Sequence, residues 1–170
     1  MRYVAFLRGV SPTNANMAEL RRCLENAGYS NVKTVLASGN VVFDANSRSA
    51  TALAAEIEAA MAKDLGRSFM TIVRSSKSLQ ALIEADPFAR HRLPAHAKRV
   101  VTFLRVPHKG KISLPIEVDG AKILAVRGGE AFTAYVPSPK GPVFMTLIEK
   151  TFGKDVTTRT WDTVQKCARA

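Results

Sequence analysis

Apolar residues occur along the chain in two kinds of pattern. Short apolar runs, such as Tyr3–Leu7 and Arg99–Val106, predict buried strands. Apolar residues at every third or fourth position predict amphipathic helices over Met17–Asn26 and Ser49–Asp64. The remaining strands predicted before residue 75 are Val32–Ala37, Asn40–Asp44 and Ser68–Arg74. The resulting order, β-α-β-β-α-β, is that of ferredoxin-like domains.

The second half of the chain repeats this order in a shorter form. After its opening strand we expect a loop, with at most one turn near Leu114–Glu117, where the first half has a helix. The Gly128-Gly129 dipeptide predicts a tight hairpin. The other predicted elements are strands Lys122–Arg127, Ala131–Val136 and Asp155–Thr158, a helix from Pro142 to Phe152, and a last helix containing Trp161, Val164 and Ala168.

Local sequence echoes indicate that the two halves are duplicated. Val4–Arg8 returns 97 positions later as Val101–Arg105. A glycine-containing turn and a helix end recur in the same order, 90 and 87 positions later. We therefore expect an α+β fold of two ferredoxin-like halves, the second with an abbreviated first crossover, packed as one compact unit. Two four-stranded sheets or one continuous mixed sheet would both satisfy the pattern.

The expected domain boundaries follow from the same elements. The first ferredoxin-like subdomain spans residues 1–75, and residues 76–98 form a linker that carries one helix, Ser78–Ala85. The second subdomain, with a C-terminal helix, spans residues 99–170.

Composition indicates an ordinary globular protein. The 170 residues are 46% hydrophobic and 23% charged. No apolar run approaches the roughly 18 residues of a spanning helix, and the N-terminus does not resemble a signal peptide. Cys23 and Cys167 lack CxxC spacing, which argues against a disulfide framework or a zinc site. We expect a cytoplasmic protein that does not bind membranes.

Positive charge is concentrated in the second half. The net charge is +11, of which residues 76–170 contribute +8. The segment from Arg90 to Lys111 holds seven basic residues and all three histidines but no acid. It could bind the phosphates of a nucleic acid, or form solvated loops that keep the protein soluble. The candidate nucleic-acid contacts are Arg90, Arg92, Lys98, Arg99, Lys109 and Lys111.

Polar residues at strand ends and helix starts predict a small-ligand site. Arg8 follows a buried strand and precedes a polar loop, and a guanidinium binds carboxylate or phosphate through two hydrogen bonds. The candidate ligand-binding residues are Arg8, Asn16, Ser38, Asn40, Arg159 and Trp161. The arginines would neutralise charge, the polar residues would orient the ligand, and the indole would stack on a ring.

Each candidate residue also has a purely structural interpretation. Asn16 is a plausible helix N-cap, and the Ser38-Gly39-Asn40 segment could simply satisfy its own turn. Trp161 could fill the interface between the halves, with Arg159 in a structural ion pair.

The sequence carries no recognisable catalytic motif. Neither cysteine has a catalytic motif around it, and the histidines are confined to the basic segment without a carboxylate. The glycine-rich phosphate-binding motifs are absent as well. We therefore expect no metal and no cofactor, and leave open whether the protein is an enzyme.

Several motifs resemble a bacterial family called domain of unknown function 1697. The resemblance rests on Phe6–Val10, Asn16-Met17 with Leu20, Ser38–Phe43 and the closing segment Thr157–Val164. It implies an α+β fold with ferredoxin-like subdomains and implies no activity. The loop at 11–15 lacks the Gly-Gly that members often carry, and Thr160 and Asp162 stand where Asn is usual.

Our leading hypothesis is a protein that binds a small anionic or phosphorylated ligand without established catalysis. The alternatives are nucleic-acid binding through the basic segment and a small enzyme of unrecognised type. The sequence leaves the ligand and the oligomeric state undetermined.

Overall fold

The computed structural model describes all 170 residues, which form nine β-strands and five α-helices. The chain divides into two compact units. The first unit comprises Met1–Ala81 together with Gln165–Ala170, and the second unit comprises Leu82–Val164.

The first unit is built on a four-stranded antiparallel sheet. Its strands are β1 (Arg2–Leu7), β2 (Ser30–Thr34), β3 (Asn40–Asp44) and β4 (Thr71–Ser75). They lie side by side in the order β2-β3-β1-β4. The helices are α1 (Met17–Asn26) after β1, α2 (Ala50–Leu65) after β3, and α3 (Ser76–Ala85), whose first six residues belong to this unit.

Helices α1 and α2 bury their apolar stripes against one face of this sheet. Leu20 and Leu24 of α1 and Ile57 and Met61 of α2 are fully buried in the same cluster as strand residues such as Phe43. Burying a side chain of this size stabilises the fold by about 1.5–3 kcal/mol. The apolar spacing in the sequence therefore predicts the correct packing face of both helices.

Capping residues set the ends of these helices where the sequence indicates. The Asn16 side chain accepts hydrogen bonds from the backbone N–H groups of Ala18 and Glu19, and the Ser49 hydroxyl accepts one from Ala52 N. Gly66 ends α2 in the left-handed conformation, with φ at 70°. The predicted bounds of α1 and α2 are confirmed to within one residue.

The second unit is built on a five-stranded antiparallel sheet. Its strands are β5 (Lys98–Leu104), β6 (Ile116–Val118), β7 (Ala121–Arg127), β8 (Glu130–Tyr135) and β9 (Val156–Thr160). Their order in the sheet is β6-β7-β8-β5-β9. Helix α4 (Val143–Phe152) precedes β9, and α5 (Trp161–Arg169) follows it and passes from the second unit into the first.

One side of this second sheet is covered by α4. Leu147 and Ile148 of the helix are buried with Leu104, Ile123 and Val156 of the strands. The predicted α+β class is thus confirmed. The structure has two separate antiparallel sheets, so the alternative of one continuous mixed sheet was wrong.

Three predicted elements were wrong in detail. Strand β4 begins at Thr71, three residues after the predicted start at Ser68. The segment at Leu114–Glu117 was expected to form at most one turn, but Ile116–Val118 is an edge strand, because Ile116 pairs with Ile123 and Val118 with Ala121. Strand β2 ends at Thr34, three residues before the predicted end.

Candidate functional site

Three loops meet at the end of the first sheet where β1 stops. The backbone N–H of Leu7 donates to the carbonyl oxygen of Gly39 at 2.9 Å, and that of Arg8 donates to Met70 at 2.8 Å. These bonds hold the start of the β1–α1 loop between the β2–β3 loop and the segment that leads into β4. We call the region formed by Arg8–Val10 and Ser38–Asn40 the loop junction.

Gly39 allows the two loops of this junction to touch. Its φ is 83°, and a Cβ atom at this position would lie 2.9 Å from Cβ of Val10 and 3.0 Å from the carbonyl oxygen of Leu7. Such contacts are too close for any side chain, so only glycine fits here. The close approach places Arg8 and Ser38, both candidate ligand contacts, in the same small region.

Asn40 fixes the shape of the β2–β3 loop from within the protein. Its side chain is fully buried, and Nδ2 donates to the carbonyl oxygen of Val35 at 2.9 Å and to Oγ of Ser38 at 3.1 Å. The backbone N–H of Val35 returns a bond to the carbonyl oxygen of Asn40 at 2.9 Å. Asn40 therefore positions the Ser38 hydroxyl, which is the turn role considered for it from sequence.

Leu36, at the tip of the same loop, has an unusual backbone conformation. Its φ is 60°, in the left-handed region that bulky residues rarely adopt, and 51% of the residue is exposed. Residues of this kind persist only where the surrounding structure holds them, and they concentrate at functional loops. The Val35–Asn40 pairing supplies that restraint here.

The β1–α1 loop is ordered by Asn14. Its Nδ2 donates to the carbonyl oxygen of Gly9 at 2.6 Å, and its Oδ1 accepts from the backbone N–H of Ser11 at 2.8 Å. The hydroxyls of Ser11 and Thr13 are 2.9 Å apart. Side-chain hydrogen bonds thus shape this loop.

Asn16 acts as the N-cap of α1. Oδ1 accepts from the backbone N–H of Ala18 at 2.8 Å and from that of Glu19 at 3.4 Å. A cap of this type stabilises a helix by about 1 kcal/mol. Both hydrogen bonds are those expected of a helix N-cap, which is the structural interpretation of Asn16.

Arg159 and Trp161 belong to the second unit. Nη1 of Arg159 donates to Oγ1 of Thr157 at 2.6 Å and to the carbonyl oxygen of Thr158 at 2.7 Å, and the residue is only 9% exposed. Trp161 is 6% exposed and packs edge-on against Phe88, with ring centroids 5.2 Å apart. Both side chains are therefore engaged within this unit.

The basic segment is split between the two ends of β5. Arg92, Lys98 and Arg99 precede or begin the strand, whereas Lys109 and Lys111 follow its end. The seven residues of the strand span about 20 Å between these two groups along the chain. All six candidates are exposed, and none pairs with a carboxylate.

A cavity that the sequence did not indicate opens beside α1. Its volume is about 370 Å³, and it lies between α1 and the segment where α2 ends and leads into β4. The lining includes Asn16, Arg22, Cys23, Asp64 and Arg67. These residues are far apart in sequence and form no local motif, so only the packing of α1 against α2 brings them together.

The wall of this cavity contains one cysteine, Cys23. Burial, and secondarily the charge of Asp64, raise the pKa of Cys23. Since the thiolate is the nucleophilic form, this cysteine is not activated for catalysis. Cys167 is also buried and forms no disulfide.

Fold and candidate sites together define an antiparallel α+β protein with no helix long and apolar enough to cross a bilayer. The sequence profile of the family described as "Protein of unknown function (DUF1697)" matches residues 1–131. The chain therefore belongs to this family, which confirms the resemblance seen in its motifs.

The fold recurs in a solved structure of the conserved bacterial protein SP0830 from Streptococcus pneumoniae. The two chains share 22% sequence identity and superpose with a TM-score of 0.70, over 99% of this chain and 96% of that one. At this identity the likeness concerns the fold alone. A search of curated proteins found no match.

Proposed function

We propose that the protein binds a small anionic or phosphorylated ligand at the loop junction of the first unit. The observation that carries the proposal is the close approach of the two loops at Gly39, which puts Arg8 and the exposed Ser38 in one preformed region. A guanidinium binds carboxylate or phosphate oxygens through charge-assisted hydrogen bonds, and a hydroxyl on the neighbouring loop can donate another.

The residues of this site have different roles in the proposal. Arg8 supplies the positive charge, and Ser38 supplies a hydroxyl. Asn40 positions Ser38, because its own amide is buried and hydrogen-bonded to Val35 and Ser38. Asn16 orders the start of α1, which follows the loop that begins at Arg8. In this proposal Arg159 and Trp161 stabilise the second unit, since both are almost completely buried.

Inorganic phosphate is the simplest probe of this site. We expect phosphate to raise the melting temperature of the wild-type protein at constant ionic strength, because a ligand that binds only the folded state stabilises it. The Arg8→Ala variant should lose this increase. Arg105→Ala removes the same charge at the corresponding strand end of the second unit. The melting temperature of this variant should still rise with phosphate. An equal response in all three proteins would rule out the site.

Nucleic-acid binding is the second candidate function. The observation in its favour is that six exposed basic residues of the 90–111 segment carry charges without carboxylate partners. A duplex that contacts both ends of β5 would bridge the two groups of cations.

Fluorescence anisotropy with a labelled DNA or RNA duplex tests this second function. If the cations bind phosphates, log K should fall with log salt by about 0.9 for each phosphate neutralised. Paired variants of Arg92 with Lys98, and of Lys109 with Lys111, should each flatten that slope. No binding at low salt would exclude the function.

We also propose that the two units are duplicated ferredoxin-like domains. Strand order β2-β3-β1-β4 in the first sheet corresponds to β7-β8-β5-β9 in the second. Phe6 pairs with Asn40, and Phe103, which lies 97 positions after Phe6, pairs with Glu130, which lies 90 positions after Asn40. The short strand β6 stands where the first copy has α1. An experimental structure whose corresponding strands cannot be superposed would contradict this origin.

A further inference from the structure

The cavity beside α1 is lined by two cations and two anions that form no ion pairs. Glu19 and Arg22 lie three residues apart on α1, and Asp64 and Arg67 lie three residues apart around the end of α2. We propose that this cavity binds a small zwitterion, an α-amino acid with an apolar side chain. This site is separate from the loop junction and does not depend on Arg8.

The charges favour a ligand that carries both signs. None of the four side chains forms an ion pair, although Glu19 and Arg22 are three residues apart on the same helix. Their formal charges cancel, so a singly charged ligand would gain from two of them and be repelled by the other two. An α-amino acid offers its carboxylate to Arg22 and Arg67 and its ammonium group to Glu19 and Asp64.

The cavity also has an apolar portion that suits a side chain. Leu20, Leu65 and Phe69 contribute to its lining. The guanidinium of Arg67 lies 5.5 Å from the ring centroid of Phe69, a cation–π distance that restrains the arginine beside the apolar surface. The volume of about 370 Å³ is at the lower end of the range for small-molecule sites, as expected for a ligand of amino-acid size.

The chemistry of the cavity is that of reversible binding. Cys23 is the only thiol in the lining, and burial together with the charge of Asp64 raises its pKa, which disfavours the nucleophilic thiolate. The site therefore holds no activated nucleophile.

Three related probes test the requirement for both charges. L-phenylalanine carries an ammonium and a carboxylate, 3-phenylpropionate lacks the ammonium, and 2-phenylethylamine lacks the carboxylate. Titrated into the full-length protein by calorimetry at low ionic strength, L-phenylalanine should bind about tenfold more tightly than either analogue, as expected for loss of one charge-assisted contact. Equal affinities for all three compounds, or no binding of L-phenylalanine at millimolar concentration, would overturn the proposal.

Charge-removing variants locate the binding. Asp64→Asn and Arg67→Gln should each weaken L-phenylalanine binding several-fold, and both replace exposed side chains, so the fold should persist in circular dichroism spectra. Arg21→Gln and Glu25→Gln are matched controls, because these residues form an exposed ion pair on α1 outside the cavity lining. Arg8→Ala should leave L-phenylalanine binding unchanged, which separates this site from the phosphate site. Equal weakening by the controls, or no weakening by Asp64→Asn and Arg67→Gln, would contradict the assignment.

Discussion

Arg8 and Arg105 each directly follow an inner strand of their sheet and make similar backbone hydrogen bonds. The N–H of Arg8 donates to Met70 O at 2.8 Å, and the N–H of Arg105 donates to Asp155 O at 3.0 Å. Asp155 lies 85 positions after Met70, and Arg105 lies 97 positions after Arg8. The same backbone connection is thus built twice, with fewer residues between its ends in the second unit.

The two arginines differ in the loops beside them. Next to Arg8, the β2–β3 loop runs from Val35 to Gly39 and presents Ser38. In the second unit the corresponding hairpin turns within Gly128-Gly129. The longer polar loop is therefore specific to the first unit, and this is why Arg105 serves as the control for Arg8.

The packing of Gly39 against Val10 predicts a large cost for any side chain at position 39. Gly39→Ala should lower the free energy of unfolding by more than the roughly 1 kcal/mol expected for a left-handed alanine alone, because the added Cβ would also displace Val10 and the backbone. Urea denaturation measures the difference.

Gly66→Ala is the matched control. Gly66 also has a positive φ, of 70°, but nothing lies within 4 Å of a Cβ built there. Gly66→Ala should therefore lower the free energy of unfolding only by the cost of a left-handed alanine. A smaller loss for Gly39→Ala than for Gly66→Ala would contradict the close approach of the two loops.

The buried amide of Asn40 predicts a second stability effect. Asn40→Ala leaves the carbonyl oxygen of Val35 without its side-chain donor and should destabilise the protein by about 1–3 kcal/mol. Asn46→Ala, at an exposed position just beyond β3, should change stability by less than about 0.5 kcal/mol. Equal effects of the two variants in thermal denaturation would show that Asn40 does not hold the loop.

Tyr29 predicts a loss of stability in alkaline solution. Its hydroxyl donates to Oε2 of Glu56 at 2.7 Å, and burial, followed by this hydrogen bond and the charge of Glu56, raises the pKa of Tyr29. The folded state therefore keeps the phenol proton to higher pH than the unfolded state does. The stability contributed by Tyr29 is complete below the unfolded pKa of about 10 and declines as the pH rises above it.

Tyr29→Phe and Glu56→Gln test this pH dependence. At neutral pH Tyr29→Phe should be less stable than the wild type by about 1 kcal/mol, and the difference should narrow as the pH rises past about 10. Glu56→Gln removes the charge but keeps an acceptor, so its stability should decline less steeply over the same range. Melting curves with parallel pH dependence in all three proteins would disprove the coupling.

The contact between Phe88 and Trp161 predicts that a substitution at Phe88 changes both the stability of the protein and the fluorescence of Trp161. Trp161 is the only tryptophan and is 6% exposed, so the folded protein should emit at shorter wavelength than the unfolded chain. Phe88 is 3% exposed and also contacts Phe132, with ring centroids 6.0 Å apart. Phe88→Ala should cost about 3–5 kcal/mol of stability and shift the emission.

Val106→Ala controls for the loss of apolar volume in the same unit, because Val106 is 63% exposed. It should leave both the emission wavelength and the unfolding midpoint nearly unchanged. Urea titrations followed by fluorescence compare the two variants. Equal unfolding midpoints and emission wavelengths for Phe88→Ala and Val106→Ala would show that the aromatic contact does not stabilise the protein.

Local patterns were sufficient to predict the helices. Met17–Asn26 and the helix ending before Gly66 combine regular apolar spacing with capping residues, so local propensity and packing favour the same bounds. The short edge strand Ile116–Val118 has no such pattern, because three residues contain too little periodicity to identify a strand. It exists because it pairs with β7.

Tertiary contacts explain the misplaced end of β2. The apolar run continues past Thr34, but the carbonyl oxygen of Val35 is bound by the side chain of Asn40, and Leu36 turns into the left-handed region. The strand therefore stops where the loop begins.

The candidate sites could be predicted only in part from the sequence. Arg8 and Ser38 stood out as polar residues at the ends of strands, but the contact that joins their loops depends on the absence of a Cβ at Gly39. The cavity beside α1 could not be predicted, since Arg22 and Arg67 come together only through the packing of two helices.

Titration with inorganic phosphate, followed residue by residue by NMR of the ¹⁵N-labelled protein, tests the proposed function most directly. We predict that the largest shifts occur at the backbone amides of Gly9 and Ser38 and at the Nε–H of Arg8, and that Arg8→Ala abolishes them. Shifts confined to residues 90–111, or no saturable shifts at all, would contradict an anion site at the loop junction.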